Sequence, residues 1–177
     1  MPVLSNTNPS NWDSIPPLDE IVRELPPEGN LNAVIADVVY GGRQPSKFQE
    51  NGTPTLFVGF GIDSVIKSGK FAGKRHRIWR RVSYLLAPKG VLYSIVVAAF
   101  GKAYPRDPNG QFRPTTLIGR PIMAEIVHSK RNGTIYADIS TFGRHVNGLP
   151  VLTPETDVPV PQWIQDCVSS RLDKPGN

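Results

Sequence analysis

The chain has 177 residues, of which 39% are hydrophobic, and a net charge of +5 with one cysteine, Cys167. This length fits one domain with arms, and a single cysteine excludes an internal disulfide and is typical of a reducing compartment. No run approaches the roughly 20 apolar residues that span a bilayer, and the first residues do not have the pattern of a signal peptide, so we expect a soluble cytoplasmic protein.

The first segment, residues 1–28, is an acidic arm rich in proline. Residues 1–30 contain five acidic groups and one basic group, a net charge of −4. Apolar residues in 18–25 share one helical stripe, but proline pairs on both sides limit a helix to about two turns. We expect an arm with at most a short helix, which is either inert or contacts the basic domain or another protein.

Three strands are predicted next, in residues 31–40, 55–65 and 73–84. The first is rich in β-branched residues and ends at a Gly-Gly pair. The second alternates, with Phe57 on the face opposite its regular apolar positions. The third alternates as well, and one of its faces consists of Arg75, Arg77, Trp79 and Arg81.

The following segments contain a helix and a hairpin. Residues 88–100 place apolar side chains at helical spacing and end at Gly101, although their β-branched residues also permit a buried strand. Residues 117–129 and 134–142 alternate again around Asn132-Gly133, a pair favoured in hairpin turns. From about residue 148 the chain is proline-rich, with a short helix predicted at 161–172 whose apolar stripe docks on its own domain or on a second copy.

The element order is therefore β-β-β-α-β-β. This is the order of the OB-fold, a five-stranded Greek-key barrel with a helix between strands 3 and 4. We expect a mainly β OB domain at residues 29–148, between the arm (1–28) and a proline-rich C-terminal tail (149–177).

Positive charge concentrates in this domain. Residues 31–150 contain 17 basic and 6 acidic groups, a net charge of +11. The stretch 64–106 alone has ten basic residues and no acidic one. Such a field is the electrostatic footprint of a protein that binds a polyanion.

The third strand combines this charge with an aromatic side chain, Trp79. A single strand of nucleic acid requires cations for its phosphates and flat apolar surfaces for its bases, and each stacked base contributes about 1–3 kcal/mol. We therefore place Arg75, Arg77, Trp79 and Arg81 in a nucleic-acid site. The other candidates flank this strand or lie on neighbouring strands and the hairpin: Lys70, Lys74, Phe57, Lys130, Arg131 and Tyr136, with Phe142 as a further platform.

A structural interpretation of the same residues stays open. Basic side chains also protect sheet edges, a bulge would bury Trp79, and the other aromatic residues suit a core. Arg80 falls on the inward face, which the alternation does not explain. The histidines and Cys167 lack metal-ligand spacing, and neither a nucleophile elbow nor an acidic cluster is present. We expect no metal, no cofactor and no enzymatic activity.

Residues 117–142, LIGRPIMAEIVHSKRNGTIYADISTF, resemble the last hairpin of OB-fold single-stranded-DNA-binding proteins of tailed bacteriophages. Residues 82–104 (VSYLLAPKGVLYSIVVAAFGKAY) and 29–42 (GNLNAVIADVVYGG) are similar to other parts of that family, so the resemblance covers about residues 29–148. It implies protection of single-stranded DNA in phage replication or recombination, in the host cytoplasm, with Arg77, Trp79 and Arg81 on the binding surface. The ending SSRLDKPGN differs from the acidic tails through which many such proteins recruit replication or recombination enzymes.

Two other functions stay open on the sequence alone. One is a structural or scaffold OB module, whose basic face contacts an acidic protein or which self-associates. The other is an RNA-binding module, since the same surface suits RNA and only the resemblance favours DNA.

Overall fold

The computed structural model describes residues 24–174. In this part the protein is mainly β, with an antiparallel five-stranded sheet and a little helix. The elements are β1 (Gly29–Gln44), β2 (Thr53–Val65), β3 (Arg75–Ser83), α1 (Val91–Phe100), a 3₁₀ turn (Pro114–Leu117), β4 (Pro121–Arg131), β5 (Thr134–Arg144) and α2 (Gln162–Ser169). The helix predicted at residues 18–25 lies almost entirely outside the described residues.

The sheet has the strand order β3-β2-β1-β4-β5, so β1 is its centre and β3 and β5 are its two edges. β1 pairs with β2 over residues 33–44 and with β4 over residues 29–34. Register shifts at Ile35/Asp37 and Tyr40/Gly42 interrupt the β1–β2 pairing. Such bulges bend a strand, and this explains why β1 continues through the Gly-Gly pair that was predicted to end it.

Arg80 connects the two edges of the sheet. Its Nη1 donates a hydrogen bond of 2.8 Å to the carbonyl oxygen of Ile139, from β3 to β5. The alternation did not explain why this arginine points inward. The structure does, because the inward side chain makes a contact across the open side of the sheet.

One face of the sheet and α1 enclose the hydrophobic core. Ile35, Phe60, Ile95, Ile122 and Ile139 are at most 1% exposed. Burying such side chains contributes about 1.5–3 kcal/mol each. The segment that also permitted a buried strand is the helix α1, and it ends at Gly101, which has a φ of 85° and donates its N–H to Val97 at 2.8 Å.

Phe142 belongs to this core, so its prediction as an outward platform is wrong. Its ring centroid is 5.1 Å from that of Phe60. The β4–β5 register shifts by one residue at Ser140, between the pairs Ile126–Ile139 and Glu125–Thr141. An extra residue reverses the alternation that follows it, and Phe142 therefore points to the same side as Ile139.

The C-terminal tail forms a second layer over the other face of the sheet. Leu152 and Ile164 are buried at 6% and 0% exposure. Asn32 Nδ2 donates to Pro150 at 2.7 Å, and Gln44 Nε2 donates to Cys167 at 2.8 Å. The tail therefore docks on its own domain, which was one of the two alternatives for its helix.

Candidate nucleic-acid interface

A groove of about 830 Å³ lies between β3 and the β4–β5 hairpin. It opens where the two edge strands of the sheet approach each other. Its walls include five of the ten predicted site residues, which come from both strands: Arg77, Trp79, Arg81, Arg131 and Tyr136. Residues 77 and 136 are far apart in sequence, so the curvature of the sheet brings these groups together.

Trp79 is half-buried and lines the groove. Its indole lies against Gly59 on β2, because a Cβ atom at Gly59 would be 3.0 Å from both Cζ2 and Cη2 of the indole. The glycine therefore allows the ring to contact the backbone of the neighbouring strand. The ring is held against the sheet from below and is accessible from the groove.

Two arginines lie on either side of Trp79 along β3. Arg77 donates from Nη2 to Glu155 O at 2.6 Å. Burial lowers the pKa of its guanidinium, but the group stays charged at neutral pH. Arg81 is exposed and donates from Nη2 to Pro45 O at 3.2 Å, in the loop between β1 and β2. The indole is thus flanked by two positive charges.

The hairpin supplies the opposite wall. Arg131 places its guanidinium carbon 4.6 Å from the ring centroid of Tyr136, and it also pairs with Asp138 at 3.2 Å. The turn has Asn132 at a φ of 50° and Gly133 at 81°, as expected for the Asn-Gly pair. Lys130 is exposed on the same hairpin but does not line the groove.

The tail also contacts two predicted site residues at the start of β3, Lys74 and Arg75. Lys74 forms an ion pair with Asp157, which raises the pKa of Lys74 and lowers that of Asp157 through their hydrogen bond. Arg75 donates from Nη1 to Thr153 O at 3.0 Å, and its backbone N–H donates to Glu155 Oε1 at 2.9 Å. These predicted site residues are therefore engaged by the protein itself.

Lys70 lies apart from the groove, in the loop that follows β2. Its Nζ is 5.6 Å from the ring centroid of the neighbouring Phe71. It is exposed and contributes positive charge without lining the groove.

Phe57 is not a stacking platform, and that prediction is wrong. Its side chain is 0% exposed. It packs edge-on against Trp163 of α2, with ring centroids 5.6 Å apart. The tail covers the face of β2 that strand alternation alone would leave in solvent.

Trp163 is an aromatic groove residue that the sequence analysis did not assign to the site. It is 49% exposed and lines the groove beside Pro161. Its position on a predicted apolar stripe indicated only that α2 docks. The tertiary structure shows more: the Trp163 ring packs on buried Phe57 and at the same time lines the groove.

The end of the acidic arm lies at the rim of the groove. Glu24 accepts hydrogen bonds from the backbone N–H of Lys67 at 2.6 Å and of Ser68 at 3.2 Å, and the first of these is the main cause of its lowered pKa. Pro26 O is 2.8 Å from His128 Nε2. Glu24 and Pro26 both line the groove.

No protein-family model matches the chain, and no curated protein matches it. In the described residues, 24–174, no helix is both long and apolar enough for a membrane span. The same part of the chain contains no group of three or more His, Cys, Asp or Glu side chains able to hold a metal ion.

Proposed function

We propose that this protein binds single-stranded nucleic acid, with single-stranded DNA as its principal ligand and little sequence preference, and that it is a binding protein and not an enzyme. The observation that carries the proposal is the groove in which Trp79 and Tyr136 are accompanied by Arg77, Arg81 and Arg131. Aromatic rings stack on bases of any sequence, and guanidinium groups contact phosphates.

The groove suits an unpaired strand better than a duplex. Its volume of about 830 Å³ falls within the range of about 300–1,000 Å³ that is usual for sites that enclose a small ligand. Bases within a duplex have no free faces, so only unpaired bases can stack on the aromatic rings of the groove. A purely electrostatic duplex binder would not need these two rings.

We further propose that the domain is an OB-fold. The element order β-β-β-α-β-β and the central position of β1 support this assignment. OB-folds bind oligonucleotides on the face of strands 2 and 3, between loops 1–2 and 4–5. Here β3 and the β4–β5 hairpin line the groove, and Arg81 contacts the β1–β2 loop at Pro45.

A role in protecting single strands during phage DNA replication or recombination is part of the same proposal. It rests on the resemblance of residues 29–148 and on the basic groove. Competition between oligo(dT) and poly(U) separates this role from RNA binding, since an RNA-binding module would prefer poly(U).

The test is a titration with oligo(dT), followed by tryptophan fluorescence in the wild type and by the anisotropy of a labelled oligo(dT) in the wild type and the Trp79 variants. Stacking on Trp79 quenches its emission, and Trp79→Ala weakens binding by about 1–3 kcal/mol. Trp79→Phe, which retains a stacking ring, is the matched control and loses less. Wild-type affinity in Trp79→Ala, with folding verified by thermal unfolding, contradicts the proposal, as does equal affinity for duplex.

A further inference from the structure

A second cavity lies beyond the end of β3, and we propose that it accepts a base from the same single strand that occupies the groove. This inference rests on the proposed function. The cavity measures about 410 Å³, and its lining includes Tyr84, Leu86, Leu92, Tyr104, Arg106 and Phe112. No candidate residue identified from the sequence belongs to it.

Two aromatic residues of this cavity, Tyr104 and Phe112, pack against the core. Tyr104 and Phe112 meet edge-on with ring centroids 5.7 Å apart, and Phe112 also packs edge-on against Phe100 of α1 at 6.2 Å. Leu92, on the same helix, is 2% exposed. The rings are therefore held in place before any ligand binds, which reduces the entropy cost of stacking.

Arg106 adds a flat cationic surface. Its guanidinium carbon is 4.9 Å from the ring centroid of Tyr104, and its Nη2 donates to the Tyr104 hydroxyl at 2.8 Å. The side chain is exposed. Unpaired bases stack on guanidinium planes as well as on aromatic rings, so this arginine serves both base and phosphate.

The loop that carries Arg106 is held by its own acidic residue. The Asp107 carboxylate accepts backbone hydrogen bonds from Gln111 and Asn109, both at 2.9 Å, and pairs with Arg113 at 3.5 Å. These contacts, that from Gln111 first, lower the pKa of Asp107. The charge of Arg113 offsets that of the Asp107 carboxylate, so the pair leaves the positive charge of Arg106 at the cavity.

The last residues of β3 connect the groove with the cavity. Arg81 lines the groove and also a small cavity of about 240 Å³ that includes Pro45 and Ser83. The next residue, Tyr84, lines the second cavity. Both Arg81 and Arg106 belong to the stretch 64–106, which contains ten basic residues and no acidic one.

The spacing matches a short nucleic-acid strand. Trp79 and Tyr84 are five residues apart in sequence, which is about 16 Å at the ~3.3 Å rise of a strand. A stacked strand covers that distance with about five nucleotides at ~3.4 Å each. This number lies within the roughly 4–16 nucleotides that one OB-fold binds.

The test compares two lengths of oligo(dT), one of about 4 nucleotides and one of about 15. Arg106→Lys keeps the charge and removes the flat guanidinium. Arg113→Lys is the matched control, since it makes the same change in the same loop at a residue outside the cavity lining. We expect Arg106→Lys to weaken binding of the longer strand by about fivefold or more, and to leave the shorter strand unaffected. The control should bind both lengths like the wild type.

Photo-crosslinking provides a second readout. A longer strand that carries 5-bromouracil should crosslink to the peptide containing Tyr104, and the shorter strand should not. Unchanged binding of the longer strand by Arg106→Lys, or an equal loss for both lengths, overturns the inference. The proposed function fails separately, when the wild type does not bind the short strand or Trp79→Ala leaves its binding intact.

Discussion

The contacts between the tail and β3 lead to a quantitative prediction about salt dependence. Asp157 pairs with Lys74, and the Glu155 carboxylate accepts the N–H of Arg75. The double variant E155Q/D157N removes these two charges. The tail should stay docked, because Leu152 and Ile164 remain buried and the contact of Arg77 uses the backbone carbonyl of residue 155.

The expected magnitude follows from counterion release. Lys74 gains the freedom to contact one phosphate, whereas the guanidinium of Arg75 stays bound to Thr153 O. Each phosphate contact with a single strand contributes about −0.7 to the slope of log affinity against log salt, so the slope should steepen by about 0.7 relative to the wild type. A fourfold increase in salt concentration therefore reduces the advantage of the variant about 2.6-fold.

The assay is a fluorescence titration with oligo(dT) at several salt concentrations. The control E50Q/D166N removes the same charge from two exposed residues that make no contact with β3 in the described structure. It should change affinity less and leave the slope near that of the wild type. If the variant and the control behave alike, the tail affects binding only through net charge, and the contact argument is refuted.

Two further predictions concern stability. Phe57→Ala should lower the free energy of unfolding by about 3–5 kcal/mol, because its ring is fully buried under the tail; denaturant titration measures this, and a loss near zero contradicts it. Glu125→Gln should lower the Tm at pH 7, because hydrogen bonds from Ser140 and Thr141 lower the pKa of Glu125 below its usual 4.5. Because the pKa of Glu125 is lower in the folded state, its carboxylate stabilises the fold above pH 4.5, and this stabilisation is lost as the pH falls through the folded pKa. The Tm values of the wild type and Glu125→Gln should therefore converge in acid. A difference in Tm that stays constant with pH contradicts this.

Strand alternation predicted most of the fold, because each strand has one face in the core. The period-two pattern located β2 and β3, and the change of period located α1. The Asn132-Gly133 pair identified the hairpin turn because both residues adopt a positive φ. These signals are local, so they are visible in the sequence without knowledge of the tertiary structure.

The sequence did not predict features that depend on contacts between distant segments. The bulge at Ser140, which turns Phe142 inward, has no marker such as glycine. The burial of Phe57 requires that the tail, about a hundred residues later, covers β2. Charge and aromatic composition predicted that Trp79 and Phe57 are both exposed on the same face of the sheet, and could not show that Trp79 lines the groove whereas Phe57 is buried.

The location of the groove has a physical reason in the topology of the sheet. β3 and β5 are its two edges, and edge strands have backbone groups that are not paired within the sheet. Arg80 joins these edges at Ile139 through a side chain, which keeps β3 farther from β5 than a backbone ladder of about 4.8 Å would. Continuous pairing of β3 with β5 would close the space between Trp79 and Tyr136. The incomplete closure of the sheet therefore produces the groove in which we place the nucleic acid.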